Sequence, residues 1–204
     1  MYTPKLYREE DRAKIIEFLR QNEFAILVTY DGGKPTASHL LMEVFEEGER
    51  ILVNGHMSKA NPQWKLFDAN GEVLVIFQGP HTYISPTWYN HVNVPTWNYQ
   101  AVHIYGKPRI VENYDEAYQI LKRLTDRHET ASHYKLETLP QDFVEKEIKG
   151  IVAFQIEVTR IEANYKLSQN RNDEDYHNIV EKLEEREDEM SHGVAEAMRV
   201  QRSR

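Results

Sequence analysis

The residues best suited to chemistry in this chain of 204 residues lie between Asn54 and Tyr105. The segment Asn54-Gly55-His56-Met57-Ser58-Lys59-Ala60-Asn61 follows a strand-forming run and precedes Pro62, a residue favoured in the first turn of a helix. A serine hydroxyl is a directional donor and a lysine ammonium a mobile point charge. Together with the N–H groups that open a helix, Ser58 and Lys59 make a candidate phosphate cradle, against the plainer reading of a capped turn. Histidines stand at His39, His56, His81, His91 and His103, at spacings that match no metal motif. Two or more could converge only through the fold, to hold a metal or a haem iron; the simpler role is a hydrogen bond to backbone or carboxylate. Trp88, Tyr89, Trp97 and Tyr99 offer flat apolar faces with polar tips. Such rings stack on a small planar ligand, seal a subunit interface or fill a core.

Other chemistries are excluded by what the chain lacks. There is no cysteine, so disulfides, thiolate metal sites and cysteine nucleophiles are ruled out. Walker, GxGxxG, GxSxG and HExxH patterns are missing, and no catalytic residue can be named. A net charge of −8 and no recognisable helix-turn-helix argue against direct DNA binding. No apolar run approaches the roughly 20 residues of a membrane span, and charges fill the start, where a signal peptide would be apolar. A soluble, cytoplasmic protein is expected.

Elements to position these residues follow from periodicity. Glu9 to Gln21 has helical apolar spacing. Phe24 to Tyr30, Thr36 to Val44 and Arg50 to Asn54 read as strands joined by Asp31-Gly32-Gly33 and Glu46-Glu47-Gly48, an antiparallel meander. Asn61-Pro62 opens a short helix through Phe67, and the apolar run Val73 to Phe77 reads as a strand covered on both faces. Gly79 to Pro95 reads as a long irregular stretch. Trp97 to Tyr105 is a strand, with a bend at Gly106-Lys107-Pro108 before Arg109 to Glu112. Asp115 to His128 and Pro140 to Lys149 are helices, and Ile151 to Glu162 is a closing strand. The expectation is an α+β fold, a small antiparallel barrel with peripheral helices over residues 1–172, followed by a charged helical arm over 173–204. The acidic block Glu184 to Glu189 reads as a solvated face.

Four ordered strings carry a family resemblance. They are His56-x-x-x-Ala60-Asn61-Pro62-Gln63-Trp64, Val75 to Tyr89, Val94-Pro95-Thr96-Trp97-Asn98-Tyr99-x-x-Val102-His103, and Lys166-Leu167-Ser168-Gln169-Asn170-Arg171. With them, residues 1–172 resemble the PaiB family, described as negative transcriptional regulators of protease synthesis and sporulation. The resemblance implies an FMN-binding split β-barrel and a homodimer. It implies that Ser58 and Lys59 hold the FMN phosphate and that His39, Leu40 and Leu41 line the isoalloxazine. Where related flavin oxidases carry a basic strand, this chain has Gln100-Ala101-Val102-His103, a departure that leaves three alternatives: His103 replaces part of the charge, the site holds another ligand, or it is empty. His56 and Trp97 complete the expected cofactor-binding set. Two other functions fit the same pocket: an FMN-dependent oxidoreductase acting on a small substrate, and a haem-binding protein with a histidine facing the pocket.

Overall fold

In the computed structural model, which describes residues 1–202, the strands are β1 (Arg8–Glu9), β2 (Phe24–Tyr30), β3 (Pro35–Glu47), β4 (Arg50–Ser58), β5 (Val73–Ile84), β6 (Thr96–Ile110) and β7 (Ile151–Lys166). The helices are α1 (Arg12–Gln21), α2 (Phe67–Asn70), α3 (Tyr114–His128), α4 (Gln141–Lys149), α5 (Asp173–Glu184) and α6 (Glu189–Arg202). The sheet order is β1-β7-β4-β3-β2-β5-β6, and β6 pairs again with β7. Six strands therefore close on themselves and β1 is appended to β7. This is the antiparallel α+β split barrel expected from the sequence.

Contacts divide the chain into two units, and β5, β6 and β7 contribute residues to both. One unit comprises Leu19–Phe77 and Ile104–Ile161. Its β2–β3 hairpin turns because Asp31 Oδ1 accepts from Gly33 N and Lys34 N, both at 2.8 Å, while Gly32 takes a φ of +83°. Ala25, Leu27, Met42, Val44, Val53, Val75, Phe77, Phe154 and Ile156 are buried at alternate positions of their strands. Val73–Phe77 alternates too, with Leu74 and Ile76 half-buried, rather than being covered evenly on both faces.

On another face of this unit, Glu43, Asn54, Gln155 and Arg109 form a polar row across β3, β4, β7 and β6. Asn54 Nδ2 donates to Glu43 at 3.2 Å, Gln155 Nε2 to Asn54 Oδ1 at 3.0 Å, and Arg109 Nη2 to Gln155 Oε1 at 2.9 Å. Helix α3 grips both ends, through Arg123 on Glu43 and Glu116 on Arg109. Its Ala117, Ile120 and Leu124 pack with Val144 and Ile148 of α4 over Val111 and Ala153.

The other unit comprises Met1–Phe18, Gln78–His103 and the chain from Glu162 onward. Two sequence expectations are corrected around it. Gly79 to Ile84 is strand, not irregular chain, so the loop shrinks to Ser85–Pro95 with a 3-10 turn at Pro86–Trp88. β2 pairs with β5 only at Leu74–Ile76, so Pro80, which has no N–H to give, interrupts no ladder on that side. Likewise β6 runs unbroken through Gly106-Lys107-Pro108. Glycine is needed there, because a Cβ at Gly106 would stand 2.6 Å from the Glu157 carbonyl oxygen.

Residues 173–202 form the helix pair α5 and α6, whose Tyr176, Ile179, Leu183, Val194, Ala195 and Met198 are buried. Asn172 caps α5 by accepting from Asp175 N at 2.8 Å. The acidic block is not only solvated: Glu184 pairs with Arg199 at 2.7 Å, and Asp188 accepts from Ser191 N at 2.8 Å.

Candidate functional site

β3 and β4 pair from Glu47–Arg50 up to Met42–Gly55, and the register ends there. Beyond that point β4 follows β7, with His56 opposite Ala153, Met57 opposite Val152 and Ser58 opposite Ile151. The earlier half of β3, Pro35–Leu41, follows β2. The strands part, and two amides from the following turn reach the β3 side. Asn61 Nδ2 donates to Ser38 Oγ at 2.9 Å. Gln63, only 1% exposed, donates through Nε2 to Leu27 O at 3.0 Å and Thr36 O at 3.2 Å. Its Oε1 is buried without a donor.

The turn itself is rigidly tied. Lys59 N donates to Gly150 O at 2.9 Å, and Lys59 O accepts from Trp64 Nε1 at 3.2 Å. Ser58 and Lys59 are exposed, and the Lys59 ammonium makes no ion pair among the described residues. From Asn54 to Trp64 there is no carboxylate in the sequence. One free cation beside one hydroxyl suits a phosphate monoester.

The expected helix N-terminal donors are not available, however. The short helix expected after Asn61-Pro62 is a five-residue 3-10 turn, Pro62–Leu66. Ala60 N is given to Ser58 Oγ at 3.3 Å, Asn61 N to Ser58 O at 2.9 Å and Gln63 N to Asn61 Oδ1 at 3.0 Å, while Pro62 has none. A phosphate cradle at this turn would have to be made of side chains.

On β3, His39 is exposed, its ring 6.0 Å from that of Phe24, which is 67% exposed. Leu40 and Leu41 are half-buried, and Leu41 packs on the α3–α4 cluster. Alternation puts His39 and Leu41 on one face and Leu40 on the other, so the three do not line a single surface. His56 Nδ1 is buried without a partner, and burial pushes its pKa down, keeping the ring neutral at pH 7.

Trp97 and His103 belong to the other unit. Trp97 is half-exposed, with His81 at 6.2 Å and Tyr83 at 6.3 Å between ring centroids. His103 has its pKa lowered, first by burial and then by the amino terminus, against a smaller opposing effect of Glu162. It is neutral at pH 7 and supplies no cation. Sequence reasoning quoted Gln63 only as part of a family motif, without a role at the site, and missed Ser38; the available signal was an amide directly after Asn61-Pro62.

Comparison with known proteins follows the same line. Residues 1–160 match a family model described as "Putative FMN-binding domain". A Bacillus subtilis (strain 168) protein named "Protease synthase and sporulation protein PAI 2" is 42% identical over 200 residues, covering 97% of this chain and 96% of its own length. Among solved structures, the FAD and haem binding protein from Mycobacterium smegmatis aligns with a TM-score of 0.61 at 15% identity, over 84% of this chain and 79% of that one. The flavocytochrome Anf3 from Azotobacter vinelandii gives 0.60 at 15%, over 84% and 75%. At that identity the likeness is one of fold.

Proposed function

The chain belongs to the FMN-binding domain family that its residues 1–160 match, and on that premise we propose that it binds FMN where β3 and β4 part, with the phosphate at Ser58 and Lys59. The observation that carries the reading is the free Lys59 ammonium beside the Ser58 hydroxyl, on a turn fixed by Gly150 and Trp64. Leu40 offers an apolar contact on one face of β3, and His39 a planar one on the opposite face. The buried Gln63 Oε1 is an acceptor still awaiting a donor such as a ring N–H. Bound flavin would supply the electron chemistry. Neutral His56 acts as a packing group in this reading.

The biological role we propose is that of a cytoplasmic homodimer that represses protease synthesis and sporulation. Its support is the 42% identity to the Bacillus subtilis protein. The flavin state would pass to a protein or small-molecule partner rather than to DNA, in keeping with the net charge of −8. Quenching of FMN fluorescence by the purified protein tests the binding, with haem titrated in parallel. Saturable quenching at micromolar FMN is expected; none at about tens of micromolar, or haem binding in its place, would contradict the assignment.

A further inference from the structure

The motif Lys166-Leu167-Ser168-Gln169-Asn170-Arg171 has no part in the flavin site described above. Its turn is closed by Arg171 N donating to Ser168 O at 3.0 Å and Leu167 N donating to Gln169 Oε1 at 2.8 Å. Ser168 has a φ of +61°, unlike any other non-glycine residue among those described, and Asn98 Nδ2 holds its hydroxyl at 2.9 Å. A side chain rarely adopts that conformation, so the turn is shaped at some cost.

The turn gathers two positive charges, and the buried Asp175 carboxylate lies near enough to act on Tyr89. The Arg171 guanidinium carbon lies 4.8 Å from the centroid of the Tyr89 ring, and Lys166 Nζ donates to Thr96 Oγ1. Neither cation forms an ion pair among the described residues. The carboxylates around them are otherwise engaged. Asp175, fully buried, accepts from Asn90 N at 2.8 Å and Asn172 Nδ2 at 2.9 Å and faces His91 Nδ1 at 3.3 Å. Asp173 is paired with Arg202. Burial, and then the charge of Arg171, hold the Lys166 pKa below its usual value, as for an ammonium whose counter-ion is missing. A separate observation bears on a ligand: Tyr89 is 8% exposed, and its buried hydroxyl makes no hydrogen bond of good geometry, although Arg171 and Ser168 lie near enough to oppose the rise in its pKa that burial causes.

We propose that Lys166, Arg171 and the Tyr89 hydroxyl form a binding site for a phosphate-type oxyanion, carried by residues other than the Ser58–Lys59 turn. The guanidinium fork matches two oxygens of a tetrahedral anion, the ammonium adds a point charge, and the phenol donates a third hydrogen bond. Ser168 is the positioning residue of the turn that brings Arg171 over Tyr89, with Lys166 close enough to Arg171 to feel its charge.

Calorimetric titration of inorganic phosphate into the full chain, at pH 7 and constant ionic strength, tests the site. One phosphate per chain is expected, with affinity falling at least about tenfold in Lys166→Gln/Arg171→Gln. Tyr89→Phe keeps the ring under Arg171 and should weaken binding severalfold, which decides the matter if the double variant fails to fold. Each comparison is repeated in the Lys59→Ala background, which removes the contribution of the Ser58–Lys59 turn. No phosphate binding up to about 10 mM, equal binding by Tyr89→Phe and its Tyr89 parent, or acetate bound in preference to phosphate would each overturn the proposal.

Discussion

Asn61 and Ser38 are joined from Nδ2 to Oγ at 2.9 Å, across the place where β3 and β4 no longer pair. The same Asn61 caps the following turn through Oδ1 on Gln63 N. One side chain therefore fixes the Ser58–Lys59 turn to the strand that faces it. Asn61→Ser retains a capping oxygen but cannot reach Ser38. It should cost about 1 kcal/mol of stability and weaken FMN binding a few-fold, measured by urea unfolding and flavin titration. Unchanged values in both would show that the tie does not position the turn.

Two glycines differ in what their missing Cβ would meet. At Gly55, next to the parting strands, it would fall 2.6 Å from Phe154 Cζ and 2.8 Å from Met42 Sδ, both side-chain atoms that can shift. At Gly106 it would meet the Glu157 carbonyl at 2.6 Å, which belongs to a paired strand. Gly55→Ala should cost about 1–3 kcal/mol and Gly106→Ala more, by denaturant midpoint. The reverse order would contradict the close approach of β6 to β7.

Stability should fall on the acid side. His56 and His103 both have folded-state pKa values lowered chiefly by burial. Below about pH 6.5 the unfolded chain takes up protons that the folded chain refuses, so stability declines as pH falls from about 6.5 toward the folded pKa values. Above that range the two states are equally deprotonated and the effect vanishes. Denaturant midpoints at pH 7.5 and 5.5 should differ less in His56→Gln than in the wild type; an equal or larger difference would contradict a buried neutral His56.

Val92 and Val94 are 101% and 67% exposed, and Trp97 46%, in a single chain. So much apolar surface on one stretch supports the proposed dimer. Sedimentation at micromolar concentration should give twice the chain mass of 24.1 kDa, and a monomer would count against it.

The meander β2–β3–β4 and the helices α3 and α4 were legible because their periods of two and 3.6 are written in adjacent residues, from Phe24 to Asn54 and from Asp115 to Lys149. The continuation of β5 through Gly79-Pro80 was not, since glycine and proline read as breakers unless the missing partner on the β2 side is known. For the site, the sequence pointed to Ser58 and Lys59 but promised backbone donors that the 3-10 turn consumes internally. The parting of β3 and β4 after Met42–Gly55 is a matter of register between strands, which local residue types do not encode. Nor could the neutrality of His103 be read, because it comes from burial and the distant amino terminus.

The central claim is that Lys59 holds the phosphate of a bound flavin. Wild type and Lys59→Ala titrated with FMN and with riboflavin, by fluorescence quenching, test it most directly. Removing a charge-assisted hydrogen bond worth about 1.5–3 kcal/mol should weaken FMN binding about ten- to a hundredfold, while riboflavin, which lacks the phosphate, binds both proteins alike. Equal FMN affinity of the two proteins would contradict the account.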